Sequence, residues 1–124
     1  MTDDGCTDAE ALFYQGVRCM KNGDAAGAET CFRLALQLVP DFAEAYANLA
    51  MLLENRGDKT EAEKYYRRSI ELNPIYPETH LDLGALLSGQ KRFDEAEASY
   101  RNAIALKPDS PVAWSNLGDR KSVV

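Results

Sequence analysis

Five prolines set the frame of this sequence. Pro40, Pro74 and Pro108 are spaced by 34 residues, as are Pro77 and Pro111, so all five fall on one repeating lattice. Self-similarity at such a period marks a chain built from stacked copies of one small unit, each too small to bury its own apolar face. Aligned on the lattice, the chain divides into repeats 9–42, 43–76 and 77–110. A fourth begins at Pro111 and breaks off after Gly118, and residues 1–8 precede the first repeat as an N-terminal tail.

Within each repeat, small and large residues recur at fixed places. Position 8 holds Gly16, Ala50, Gly84 and Gly118, position 20 holds Ala28, Ala62 and Ala96, and position 27 holds Ala35, Ser69 and Ala103. Position 24 is aromatic each time, as Phe32, Tyr66 and Tyr100, and position 7 is Leu49, Leu83 and Leu117, with Gln15 the exception. Small residues let two helix backbones approach, and the large ones fill the space beside them. Each repeat is therefore expected to be a packed helical pair, helix A over positions 1–14 and helix B over 18–31.

The boundaries are chemically marked. Gly23-Asp24 and Gly57-Asp58 separate the two helices of the first two repeats, and Asp suits the N-cap of helix B, whereas the third repeat has Lys91-Arg92 there. Proline at position 32 ends helix B, because it lacks an N–H and disfavours helical geometry in the residue before it. Pro77 and Pro111 suit the first turn of helix A.

With Trp114, Leu117 and Gly118, Ala96 and Tyr100, and Pro108 in register, residues 9–118 resemble the tetratricopeptide repeat family. That resemblance implies an all-α fold, a right-handed α-solenoid of antiparallel helix pairs, with helix A lining a concave groove that holds a partner. Departures from the family pattern are Gln15 and Cys19 in repeat one and His80 in repeat three. The last residues, Asp119 to Val124, abandon the pattern and place Lys121 where a helix A aromatic is expected. They are read as a non-native tail, since the hexapeptide and a following stop match the translation of a common sequencing adapter. A natural charged cap is the competing reading.

In this architecture groove residues come from positions 2, 5, 6, 9 and 12. Repeat one supplies Glu10, Phe13, Tyr14, Val17 and Met20, and repeat two supplies Glu44, Ala47, Asn48, Met51 and Glu54. Repeat three adds Glu78, Leu81, Asp82, Ala85 and Ser88, and the partial repeat adds Val112, Ser115 and Asn116. Glu10, Glu44 and Glu78 share position 2, which would make an acidic ladder suited to a basic or amide-rich segment. Carboxylates near helix starts are also ordinary dipole complements. Asn48 and Asn116 at position 6 resemble the asparagine ladder by which O-linked N-acetylglucosamine transferases hold an extended peptide; Tyr14 and Asp82 interrupt it. An amide can donate to and accept from a peptide unit. Chaperone-binding relatives use a clamp of Lys or Arg for terminal carboxylates, but the corresponding places here hold Phe13, Val17, Asn48, Glu78 and Asp82. The apolar set Phe13, Tyr14, Val17 and Met51 either grips a partner or packs against neighbouring segments.

Other function classes fare poorly. With 20 acidic against 14 basic residues and a formal charge of −6, nucleic acid and anionic membrane are unsuitable partners. No apolar run is long enough to span a bilayer, and the acidic start does not suit a signal peptide. Cys6, Cys19 and Cys31 lack metal-ligand spacing and are expected as reduced thiols in a cytoplasmic setting, Cys19 and Cys31 as small core residues. His80 is the one histidine, and it falls at position 4, where a packing residue belongs. No catalytic, cofactor or metal site is expected in this segment. The expected function is a protein–protein interaction scaffold. Two alternatives stand beside it: the substrate-recognition arm of a truncated glycosyltransferase, and weak self-association through exposed repeat ends.

Overall fold

The computed structural model describes residues 4–109, with side chains from residue 8, and every regular element among them is an α-helix. In chain order these are α1 (Asp4–Lys21), α2 (Ala25–Leu38), α3 (Ala43–Arg56), α4 (Lys59–Leu72), α5 (Pro77–Gly89) and α6 (Phe93–Leu106). They fall into two compact units, one ending at Leu72 and holding α1 to α4, the other starting at Asn73 and holding α5 and α6. In the first unit α1 packs on α2, α2 on α3 and α3 on α4; in the second α5 packs on α6.

The turn inside each pair is the same device three times. Asp24 N–H donates to Cys19 O at 2.8 Å, Asp58 N–H to Leu53 O at 2.8 Å and Arg92 N–H to Leu87 O at 2.9 Å. Closing that turn requires a left-handed residue just before, supplied by Gly23 at φ 81°, Gly57 at φ 101° and Lys91 at φ 64°. Asp24 caps α2, its Oδ1 accepting from Gly27 N–H at 3.0 Å. Each helix B ends ahead of its proline, with Val39 and Lys107 extended at φ −132° and −142°. Pro77 opens α5 at the first turn.

Several boundaries differ from the sequence-based expectation, and α1 and α5 end one residue early, at Lys21 and Gly89. Helix α1 starts at Asp4, inside the segment read as a tail. The B helices begin and end one residue earlier than expected. Residues 110–124, with the partial repeat and the unusual terminus, lie outside the described residues.

Each pair is held by an aromatic of helix B laid against a small residue of helix A. A Cβ added at Gly16 would sit 2.7 Å from Phe32 Cε1, and one at Gly84 2.6 Å from Tyr100 Cε1. Phe32 and Tyr66 are almost wholly buried, flanked on their own helices by Ala28 and Ala35, and by Ala62 and Ser69. Burying side chains of this size contributes on the order of 2 kcal/mol each. Tyr66 donates to Glu54 Oε1 at 2.9 Å, and Ser69 Oγ donates to Ala43 O at 2.8 Å, so the polar atoms that enter the core arrive with partners. In the second unit His80 is 6% exposed, and its Nε2–H donates to Pro74 O at 3.0 Å, which gives this histidine the packing role expected from its position.

Helix α3 also has a flank that receives the preceding pair. In α3 it is Ala45, Leu49 and Leu52, all buried, with Leu49 beside Arg33, Leu36 and Gln37 of α2, and Leu52 beside Ala25, Ala26 and Glu29. The matching residues of α5, Thr79, Leu83 and Leu86, are buried too. In α1 they are Ala11, Gln15 and Arg18, and all three are exposed.

Candidate partner-binding face of the A helices

On α1, Glu10 and Tyr14 project from successive turns, Tyr14 with 60% of its surface exposed, while Val17 is half-buried one turn on. Phe13 behaves differently. Its ring lies 5.7 Å from Phe32 and 5.1 Å from Phe42, and meets Tyr14 edge-on at 5.6 Å. Phe13 therefore joins the core of its own pair to the segment entering α3, and serves as the wall against which Tyr14 stands. Of the apolar set drawn from sequence, Phe13 and Tyr14 are in contact with each other.

On α3, Glu44 is exposed and Ala47, Asn48 and Met51 are half-buried. Glu54, assigned to the same face, has one carboxylate oxygen taken by the Tyr66 hydroxyl. On α5, Glu78 and Ala85 are exposed, and Leu81, Asp82 and Ser88 are half-buried. Val112, Ser115 and Asn116 lie outside the described residues.

Charge separates the two kinds of helix. All six glutamates of the B helices are ion-paired: Glu29 with Arg33 and Arg56, Glu61 with Lys64, Glu63 with Arg67, Glu71 with Arg68, Glu95 with Arg92 and Glu97 with Arg101. Glu10, in the second turn of α1, and Glu44 and Glu78, in the first turns of α3 and α5, have no cationic partner among the described residues. Glu44 and Glu78 lie where the free N–H groups of a helix start add partial positive charge, an ordinary place for an acidic residue.

A second feature was not singled out in the sequence. Arg33, Leu36, Gln37, Tyr46, Leu49 and Tyr65 line a shallow surface recess of about 320 Å³, where the Tyr46 and Tyr65 rings stand 5.7 Å apart. Burial opposes the Arg33 charge, but hydrogen bonds to Tyr65 and Glu29 prevail and hold its guanidinium above the ordinary range. Hydrogen bonds to Glu71 and then Tyr46 do the same for Arg68. The signal that could have revealed this cluster is weak: Tyr46 shares its position with Leu12, His80 and Trp114, and only Tyr65 is aromatic where its counterparts are Cys31 and Ser99. Among the described residues no helix is long and apolar enough to cross a membrane, and no group of acidic, thiol or imidazole side chains is arranged to hold a metal ion.

Family models described as tetratricopeptide repeat match residues 9–42, 43–76 and 77–120. No curated protein sequence matches the chain. Among solved structures, the Arabidopsis OM64 TPR domain is similar at TM-score 0.90 and 19% identity, over 97% of this chain and 99% of that one. The first TPR of Spaghetti (RPAP3), bound to the HSP90 peptide SRMEEVD, gives TM-score 0.89 and 20% identity, over 95% and 94%. A mutant O-GlcNAc transferase of Thermobaculum terrenum gives TM-score 0.86 and 28% identity, over 94% of this chain and 22% of that one.

Proposed function

This chain belongs to the tetratricopeptide repeat family, and from that premise we propose that it is a protein–protein interaction scaffold whose A helices hold an extended or helical segment of a partner, basic or rich in amides. The observation that carries the reading is the unequal treatment of charge. Glutamates on the B helices are matched by arginine or lysine, while Glu10, Glu44 and Glu78 are left for a ligand to neutralise. The first unit also carries the exposed Tyr14 ring, which can accept a cation on its face, and Asn48, whose amide can pair with a peptide unit. Val17, Met51 and Leu81 offer adaptable apolar contact, and Asp82 an acceptor. Asn116 shares the repeat position of Asn48 in the sequence. An acidic C-terminal peptide such as the one held by Spaghetti has no lysine or arginine to meet at Phe13, Val17, Asn48, Glu78 or Asp82.

Fluorescence anisotropy with three labelled peptides tests this: one rich in Lys, Asn and Gln, one neutral, and one acidic with a free C-terminal carboxylate. The first is expected to bind, and Asn48→Ala to weaken it about three- to tenfold, the worth of one neutral hydrogen bond, with unchanged helicity. Tightest binding of the acidic peptide would sink the proposal.

The 28% identity to a glycosyltransferase favours a second reading, in which the same face selects substrates for a catalytic domain elsewhere in a longer protein. Reading the gene beyond the codon for Gly118 decides it. A glycosyltransferase domain there would make the A-helix face a substrate selector; a polar capping helix and a stop would leave the scaffold alone.

A further inference from the structure

The turn between α1 and α2 holds the pair Asn22-Gly23, and both residues are exposed. The Asn22 side chain makes no hydrogen bond among the described residues. Its amide carbon can be reached by the backbone nitrogen of the next residue, through a five-membered ring. Gly23 brings no side chain to obstruct that closure, and at φ 81° even an added Cβ would meet nothing within 4 Å. What restrains the nitrogen is hydrogen bonding. Gly23 N–H donates to Met20 O at 3.1 Å, and Asn22 N–H is shared between Arg18 O at 3.0 Å and Cys19 O at 3.2 Å. These bonds close the end of α1, where a helix opens most readily.

No other described asparagine combines these conditions. Asn48, Asn55 and Asn102 lie within helices and precede Leu49, Arg56 and Ala103, and Asn73 precedes Pro74, whose nitrogen carries no proton to lose. In the sister turns the matching residues are Arg56, which has no amide, and Gln90, whose longer side chain closes only a six-membered ring.

We propose that Asn22 is a hydrolytic modification site: when the end of α1 opens, Gly23 N closes on the Asn22 amide, and water converts the ring to aspartate or isoaspartate. The steps balance. Gly23 N gives its proton to solvent and attacks Asn22 Cγ; the N–C bond forms, the Cγ–Nδ2 bond breaks, and ammonia leaves with a proton taken from solvent. Water then adds to one of the two ring carbonyls. Breaking the new bond to Cγ leaves aspartate; breaking the original peptide bond leaves isoaspartate, with the main chain rerouted through the side-chain methylene. One water has been consumed, one ammonia released, and nothing has been oxidised. The product bears on the fold, because the bonds from Asp24 N–H to Cys19 O at 2.8 Å and from Gly23 N–H to Met20 O both close loops that pass through residue 22. An added methylene lengthens that path, and the carboxylate gained lies at the negative end of the α1 dipole.

The experiment incubates the full chain in mildly alkaline buffer, once folded and once in urea, then cleaves after Glu10 and Glu29 to weigh the peptide holding Asn22. Expected in both is the mass gained when an amide becomes an acid at residue 22, about tenfold slower in the folded chain because opening must first release Gly23 N–H. Fragmentation should divide the product between aspartate and isoaspartate. The folded, modified chain should exchange its Asp24 amide hydrogen several-fold faster than the parent. Equal rates in the fold and in urea would overturn the proposal, as would a folded chain that never reacts or an Asp24 exchange rate left unchanged. So would a mass gain in the same peptide that persists at full rate in an Asn22→Gln chain.

Discussion

Lys91 is a side chain in a backbone site made for glycine. Its φ of 64° matches the role of Gly23 and Gly57 in the sister turns, and an L side chain there crowds its own carbonyl at a cost of about 1 kcal/mol. Lys91→Gly is expected to raise stability by about 0.5–1 kcal/mol, seen as a higher urea midpoint with unchanged slope; a lower midpoint would refute the strain. Tyr100 carries a second residue-level consequence. Burial raises its phenol above the ordinary range near 10. In the unfolded chain that phenol ionises as pH passes its ordinary value, while in the fold it holds its proton, so above that pH the folded state binds more protons and stability falls. The slope of melting temperature against pH above about 10 should therefore be shallower in Tyr100→Phe. An identical slope would show that Tyr100 does not carry the alkaline loss.

At the level of the helix pair, the decisive contact is a missing Cβ. Gly84 lets the Tyr100 ring lie on the α5 backbone, and Gly16 does the same for Phe32, where a Cβ would be well inside contact distance. Gly84→Leu is expected to cost about 2–3 kcal/mol in denaturant unfolding, as overpacking of a closed contact does. Gly84→Ala should cost less, since Ala50 occupies the same register in α3 and is fully buried; equal losses would point to backbone strain rather than to the ring contact. The pairing of small residues at position 8 with aromatics at position 24 was legible in the sequence because it recurs every 34 residues, as were the helix ends marked by Pro40, Pro74 and Pro108. What the sequence hid was whatever occurs once. The left-handed Lys91 carries no glycine to announce it, and α1 reaches back to Asp4 past Gly5, a poor helix former that gives no sign of it. Of the binding face, the exposure of Glu10, Tyr14, Glu44 and Glu78 followed from helical position. The turn of Phe13 toward Phe32 and Phe42 did not, because Phe42 belongs to the next repeat and leaves no local periodic signal.

For the chain as a whole, repetition invites self-association, and the composition of one flank resists it. Leu49 and Leu52 of α3 are buried against the preceding pair, while Gln15 and Arg18 hold the same places on α1 in water. Replacing them together, as Gln15→Leu and Arg18→Leu, is expected to create an apolar strip that drives concentration-dependent association, visible by sedimentation velocity, where the parent shows none through that flank. A double variant that sediments like the parent would show that the flank does not govern assembly. The same two residues bear on how the chain finds its order while folding. Near-copies joined in tandem can trade places, one hairpin docking where another belongs, and the errors are compact enough to persist. Were α1 to slip into the berth of α3, a guanidinium and an amide would take the places of Leu52 and Leu49, and the apolar burial of those two leucines would be lost. Gln15 and Arg18 thus act as an address, telling the first hairpin apart from its successors before any partner arrives.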